Sequence, residues 1–325
     1  MKYSCLFLFF LISLLAKAQL SGCTDALAKN YNPAAIVNDG SCVYENAKVA
    51  PVFSITLSDT LREGSGLVYF DNQLWTHNDD TDINIYALDT IGKITNTYPL
   101  KELKNTDWEE ISQDSAYFYI GNFGNNVNGV RKDLQILRIE KMSLKANTPQ
   151  IDTIAFVYSN QVDFTRNKAN TADFDCEAFI VSNDSIYLFT KQWTSKKTAL
   201  YSLPKLPGTY TAQFKSDLDI NGLITGATYL QEKKLIALCG YNKKLKPFVY
   251  LLYDFKDNDF FSGNKRKINL SLPYHQVEGI TTKNGLQYYI SNEHFRLKPI
   301  INTLQQLHQL DLNPFLQLYI NKENH

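Results

Sequence analysis

The sequence carries no net charge: 33 Lys and Arg are matched by 33 Asp and Glu. That balance removes the electrostatic case for nucleic acid or an anionic membrane as partner. Histidine and cysteine are scarce, five of each, and nowhere do they cluster with the spacing that zinc requires. No glycine-rich loop follows a strand pattern and opens a helix, which excludes P-loop and Rossmann nucleotide sites. No Ser/His/Asp order stands out, so nucleophilic catalysis by a triad has no legible basis. Long apolar runs are absent except for one, Cys5 to Leu15. It follows Met1-Lys2 and ends at Ala16-Lys17-Ala18, the form of a secretory signal peptide over residues 1–18, too short to span a membrane. The rest of the chain is expected to be secreted or periplasmic, monomeric, and without a transmembrane segment.

Four cysteines remain. Cys23 and Cys42 bracket a compact stretch, residues 19–45, that has too few apolar residues to fold without a staple. Its Asn-Pro and Asp-Gly pairs mark turns, and a Cys23–Cys42 disulfide suits an exported chain. Asp25, Asn38 and Asp39 could hold calcium or simply close polar turns. Leu20-Ser21-Gly22-Cys23 also has the form of a lipobox, which would make the chain an outer-membrane lipoprotein instead. The segment Gly22-Cys23-Thr24-Asp25 … Asp39-Gly40-Ser41-Cys42 resembles a short repeat of secreted bacterial proteins. Residues 46–50 read as a linker and 51–325 as one domain. Cys176 and Cys239 sit within apolar strand patterns, as buried free thiols do.

What the chain has in plenty is Tyr and Phe, set in short alternating segments that read as strands. One unit recurs: a polar or acidic residue, a short apolar strand, a turn, an aromatic-rich strand, and a polar loop. It starts at Ser65, Glu109, Glu177, Gly226 and Glu278. A strand-built repeat of about 45–70 residues predicts an all-β propeller. Five blades follow from the five starts, or six if two units are merged between Glu109 and Glu177. Val52 to Ser58 looks like the outer strand of the last blade, so an N-terminal strand is expected to close the ring and hide its edges. Ile300 to Leu310 has a helix-like alternative, Phe315 to Ile320 could extend the last outer edge, and Ser159 to Phe174 is a polar insertion suited to a lid.

The first strand of each propeller blade lines the central channel, so Ser65, Glu109, Glu177, Gly226 and Glu278 would meet at one height. Three carboxylates brought together repel unless a cation or solvent intervenes. Ca²⁺ with ligands from Ser65, Glu109, Glu177 and Glu278 is one answer; solvated acids, or acids acting directly on a substrate, are the others. The ends of the second strands share one face, carrying His77, Asn78, Asp79, Asn122, Asn125, Asn126, Lys191, Asn292, Glu293 and His294, with Arg131 close behind. A polar, mixed-charge face with aromatics suits a ligand, although Asn and Asp also serve as plain turn formers. His77 and His294 become neighbours once the ring closes.

The stretch Glu63-Gly64-Ser65-Gly66-Leu67-Val68-Tyr69-Phe70-Asp71-Asn72-Gln73-Leu74-Trp75 resembles the opening of the calcium-activated nucleotidase (apyrase) family. The resemblance implies a five-bladed propeller with one central calcium held by inner-strand Ser and Glu. Asp107-Trp108-Glu109-Glu110, Gly124-Asn125-Asn126 and Asp175-Cys176-Glu177-Ala178 are similar to signatures of secreted bacterial propeller proteins of no settled activity. Gly226 departs from the apyrase pattern by offering no side-chain ligand, with Thr225 beside it as a substitute. Two functions follow as expectations. The first is a secreted propeller binding a small polar ligand, glycan or protein; the second is a calcium-dependent hydrolase of a phosphate ester or similar substrate.

Overall fold

The computed structural model describes residues 19–322 apart from Asp80 and Asn167, so the expected signal peptide lies outside the described residues. The chain is almost entirely β. A parallel pair, β1 (Ser21–Gly22) and β2 (Val37–Asn38), precedes β3 (Ala47–Val49) and β4 (Phe53–Thr56). Four-stranded sets follow. The first is β5 (Gly64–Phe70), β6 (Gln73–Asn78), β7 (Asn84–Leu88) and β8 (Ile94–Pro99). The second is β9 (Trp108–Gln113), β10 (Tyr117–Asn122), β11 (Leu134–Glu140) and, after the short helix α1 (Lys141–Lys145), β12 (Ile151–Tyr158). The third is β13 (Cys176–Val181), β14 (Ser185–Thr190), β15 (Lys197–Pro204) and β16 (Gly208–Asp219). The fourth is β17 (Leu223–Leu230), β18 (Leu235–Tyr241), β19 (Pro247–Tyr253) and β20 (Asn264–Leu270). The fifth begins with β21 (Val277–Thr282) and β22 (Gln287–Asn292). It passes through a small hairpin, β23 (Phe295–Leu297) and β24 (Ile301–Thr303), to β25 (Gln306–Asp311). The helix α2 (Asn313–Ile320) follows.

Each set is an antiparallel meander whose turns are set by local chemistry, but the second and third are not separate sheets: β12 pairs in parallel with β16, so β9 to β16 form one eight-stranded sheet. Asp71 and Asn72 both take positive φ between β5 and β6, the geometry that matches the twist of a two-residue hairpin and that Asp and Asn tolerate. The fifth set is completed from the other end of the chain: β25 pairs antiparallel with β4, with Leu307 opposite Ile55. The first strands lie side by side in the order β5, β9, β13, β17, β21, and β21 lies beside β5. Five apolar clusters fill the gaps between successive sets. Trp75, Ile85 and Val68 meet Trp108, Ile111 and Phe118 between the first and second, for example, and Leu57, Leu307, Leu67 and Leu74 meet between the fifth and first. Both faces of the first two strands of each set are therefore buried, which is why these strands read as almost continuous apolar runs.

Several expectations need correction. Residues 47–49 are no linker: β3 pairs in parallel with β20 as a fifth strand of the fourth set. The segment 19–45 does not stand apart. Its Asp25 carboxylate accepts from Tyr44 at 2.8 Å and Tyr253 at 2.6 Å, while Asn38 Nδ2 donates to Asp254 Oδ2 at 3.0 Å. Buried phenols need an acceptor, and Asp25 serves two at once. The Cys23–Cys42 disulfide is formed, which leaves no Cys23 sulfur for a lipid. Residues 301–303 and 306–311 are strands, and 313–320 form a helix opened by Pro314 rather than an outer edge. Cys176 and Cys239 are free and buried, as expected. No helix among the described residues is long and apolar enough to cross a membrane.

Candidate functional site

All five first strands are irregular at the same place. Pairing with the second strand slips between Ser65 and Val68, between Trp108 and Ile111, and between Cys176 and Ala178. It slips again between Ile224 and Gly226 and between Val277 and Gly279. A bulge re-aims a side chain and breaks strict alternation, so the skipped positions turn toward the neighbouring first strands. The residue at this point in the fourth set is Thr225, not Gly226, because the slip skips Thr225. The Ser65 hydroxyl donates to the Glu109 carbonyl and the Thr225 hydroxyl to the Val277 carbonyl, tying first strands to one another.

The next residue in each bulged strand is Gly66, Glu110, Ala178, Gly226 and Gly279 in turn. Four small residues leave room for one carboxyl, that of Glu110, which is fully buried. Its Oε2 accepts from Ala227 N at 2.6 Å and its Oε1 from Ile111 N at 2.9 Å, so one side chain joins β9 to β17. Burial pushes its pKa well up, with the N–H groups of Ala227, Ile111 and Leu67 pulling it back. A Cβ on Gly66, which sits at φ +68°, would run into Glu110 Oε1 at 2.8 Å.

Toward the other end of the strands the acids gather. Asp107 and Glu109 precede or open β9, Asp175 and Glu177 do the same for β13, and Glu278 opens β21. The two Asp-x-Glu spellings give the same local geometry. Asp107 lies close enough to Glu109, and Asp175 to Glu177, for each to act on the other's protonation. Gly124 packs so closely that a Cβ there would collide with both Glu109 and Asp107. Asp175 is fully engaged, accepting from Trp193 Nε1 at 2.7 Å and from Asn125 N at 2.7 Å. Lys191, just past β14, enters the cluster: its Nζ lies 2.9 Å from Glu177 Oε2, with both side chains no more than 5% exposed. The ammonium also stands over the rings of Trp193, 4.7 Å, and Tyr241, 5.5 Å. Glu177 Oε1 and Glu278 Oε2 are buried without a hydrogen-bond partner among the described residues.

Burial raises the pKa of Glu109, with repulsion from Glu177, Asp107 and Asp175 adding to it and Lys191 opposing. Glu177 and Glu278 are likewise raised by burial, against the pull of Lys191. Asp107 is pushed up to about 6 by burial and then by Asp175. Burial alone would lower Lys191, but Glu177, Tyr241, Glu278 and Asp175 outweigh it and hold its proton firmly. Beside this cluster Glu293, Glu63 and Asp79 bring carboxylate oxygens within 4.8 Å of one another. Glu293 Oε1 accepts from Gln276 Nε2 at 2.6 Å, and burial raises Glu293 to about 7. Trp193 and Tyr241 also line an open cavity of about 570 Å³, with Lys196 and Lys243 on its rim. A cavity of about 590 Å³ at the outer edge, lined by Tyr98, Leu144 and Pro149, lies apart from the acids.

The residues expected to hold calcium converge in part. Glu177 acts electrostatically on Glu109 and on Glu278, but the acidic oxygens within 4.8 Å of one another are those of Glu63, Asp79 and Glu293 instead; Ser65 is spent on the Glu109 carbonyl and the Lys191 ammonium stands on Glu177. Calcium asks for six to eight oxygens around one point; a fixed ammonium among them does not fit it.

The expected ligand face divides. Lys191, Asp79 and Glu293 belong to the acid-rich end. His77 is fully buried against Trp108, its Nδ1 3.1 Å from the Asn78 carbonyl. His294 bonds Asn302 instead of His77, at 2.9 Å. The asparagines brace corners. Asn78 Nδ2 donates to Thr60 O and Asp82, Asn125 Nδ2 to Phe174 O, and Asn292 Nδ2 to Leu304 O. Asn122 Nδ2 donates to Lys104 O, and the Asn126 carbonyl accepts Asn170 N, pinning the 159–174 insertion. Arg131 holds the Asn loop through the carbonyl of Gly124 at 2.8 Å. Asp107, Glu110 and Asp175 were missed as site residues. The repeated Asp-x-Glu spelling was the signal for two of them.

No family model matches the chain, and no curated protein does. Among solved structures, an assigned oxidoreductase (glucose dehydrogenase) from Thermus thermophilus is 8% identical over 79% of this chain and 99% of its own, with a TM-score of 0.42. A mitotic checkpoint complex chain is 8% identical over 83% of this chain and 97% of its own, TM-score 0.40. The computationally designed Ika4 protein is 9% identical over 64% and 99%, TM-score 0.31. Likenesses this slight carry nothing over to fold or activity.

Proposed function

We propose that the five antiparallel sets are the blades of a closed β-propeller, exported from the cell, that binds a polar ligand of the carbohydrate class at the acid-rich end of its first strands. The support for five blades is the sequence of neighbours β5, β9, β13, β17, β21 and back to β5, with an apolar cluster in each gap. The support for export is the leader-like start and the disulfide. One observation carries the binding reading. Among the described residues, two buried acceptors, Glu177 Oε1 and Glu278 Oε2, lack donors beside the Trp193 and Tyr241 rings. A sugar brings what such a place lacks: hydroxyl donors for the carboxyls and a C–H face for the aromatic rings. The test is calorimetric titration with neutral and amino oligosaccharides. Binding should weaken at least tenfold in Glu278→Gln and Trp193→Ala, each titrated well below its own melting temperature. Equal binding by both variants would place the ligand elsewhere.

A hydrolytic reading has its own support in Asp107, raised to about 6, and Glu293, raised to about 7. Carboxyls that hold or lose a proton near neutrality suit general acid–base work. Turnover of phosphate esters, nucleotides or lactones that is lost in Glu293→Gln would favour it over binding alone.

A further inference from the structure

We propose that the saccharide is an acidic one, whose carboxylate or sulfate group is held by Lys196 and Lys243 on the rim of the cavity beside Trp193 and Tyr241. The inference rests on the carbohydrate reading above and adds the charge of the ligand to it.

The cavity of about 570 Å³ is walled by the 159–174 insertion, the start of β17 and the turns after β14 and β18. No Asp or Glu lines it, and its two charged residues are both lysines. Elsewhere Lys29, Lys145, Lys197 and Lys205 each meet a carboxylate. These two do not. Lys243 is exposed, and its ammonium makes no hydrogen bond or ion pair among the described residues. The Lys196 ammonium donates to the Trp193 carbonyl. Burial lowers the pKa of Lys196 and the charge of Lys243 lowers it further, so the two ammoniums repel across the rim. Asp173 opposes them from outside the lining, with its Oδ1 already accepting from Thr194 N at 3.0 Å. An anion placed between the lysines removes the repulsion and gains charge-assisted hydrogen bonds.

The rim is set before any ligand arrives. Lys196 sits at φ +61°, a left-handed backbone that costs a lysine more than it costs glycine or asparagine. Its N–H donates to the Gln192 carbonyl at 3.0 Å and its carbonyl accepts Gly222 N at 3.3 Å. The turn that carries Lys243 is closed by Asn242 Oδ1, which accepts Lys244 N at 2.9 Å and Lys246 N at 3.2 Å. The Trp193 ring is tethered through Nε1 to Asp175. A bare anion would use the lysines alone. A saccharide also uses the neutral polar groups of Asn170, Thr171 and Thr194, which line the same space as the aromatic rings.

The test is calorimetric titration of the full mature chain with oligogalacturonate and oligomannuronate, with the methyl ester of each, and with a sulfated oligogalactose against its unsulfated parent. An ester keeps the skeleton and drops the charge. At low salt at least one acidic form should bind ten times tighter or more than its neutral counterpart, and the pair that shows this tells carboxylate from sulfate. The advantage should shrink at about 0.5 M salt. In Lys243→Gln the acidic and neutral forms should bind alike; Lys243 touches nothing in the fold, and a melting curve checks that the variant is intact. Acidic and neutral forms that bind the wild type equally would overturn the proposal and leave the carbohydrate reading standing. An advantage that survives in Lys243→Gln and in Lys196→Gln would overturn it too, as would sodium sulfate binding as tightly as the acidic saccharide. If no saccharide of either kind binds, the carbohydrate reading falls and this inference falls with it.

Discussion

At the scale of single residues, this protein places ionisable groups where water cannot reach them. His77 is the clearest case. An unfolded chain takes up a proton there near pH 6.5, but burial keeps the folded imidazole neutral until about pH 4, despite help from the Asn78 and Glu110 backbones. Stability from this group is complete above pH 6.5 and lost as pH falls toward 4, an effect of about 3 kcal/mol. Asp107 and Glu293 act in the opposite sense. Their folded values, about 6 and about 7, exceed the ordinary 3.8 and 4.5, so their contribution is present at low pH and lost as pH rises through those values. Melting curves of wild type and His77→Leu between pH 4 and 7 separate the two. The variant should lose less stability on acidification, and an unchanged acid limb would show that His77 titrates normally.

Among elements, the bulge in each first strand decides what the strand can carry. A regular strand alternates its side chains, so Glu109 and Glu110 would face opposite ways. The slip lets Glu109 join the acid cluster while Glu110 reaches across to β17. Gly66 permits that reach, because it supplies both the positive φ and the missing Cβ. Gly66→Ala should cost about 3 kcal/mol, combining left-handed strain with the clash against Glu110 and the Ile111 backbone. Urea denaturation measures it. Gly226→Ala should also destabilise, since a Cβ there would lie 2.8 Å from the Glu278 carbonyl and 2.9 Å from Cys239 Sγ.

For the whole molecule the decisive contact joins residues about 250 apart in sequence: β4 on β25, with Leu307 opposite Ile55, Ser54 bonded to His308 at 2.7 Å, and Leu57 in the cluster between the fifth and first sets. Without that strand β25 becomes an open edge and Leu61, Leu67 and Leu307 lose a neighbour. Deleting residues 51–58 should therefore give protein that associates through the bare edge, visible as oligomers by light scattering in place of a single species. A monomer with unchanged melting temperature would show that β4 contributes little to closure. The 19–45 segment adds a second brace. Its seat on Tyr253 and Asp254, with β3 on β20, fastens the fourth set from outside.

The sequence by itself determined the repeating strand units, the first strand that completes the last set, and the Cys23–Cys42 pair. These rest on local chemistry: alternation of apolar and polar residues, turn formers at the reversals, and two cysteines around a segment too poor in apolar residues to hold itself. It also brought Glu109, Glu177 and Glu278 into one argument, because equivalent positions of a repeat share an environment. Tertiary structure alone decided the rest. Only the pairing registers revealed the bulges, and with them that Thr225 replaces Gly226 and that Glu110 shares the interior. Only packing showed that His77 and the loop asparagines are braces, since an Asn that caps a corner and one that meets a ligand are spelled alike. The place of Lys191 was beyond any reading of spacing. Its charge enters the cluster from the loop after β14, and what holds it there is Glu177 on the adjacent strand β13, with Glu278 from β21 adding to the field.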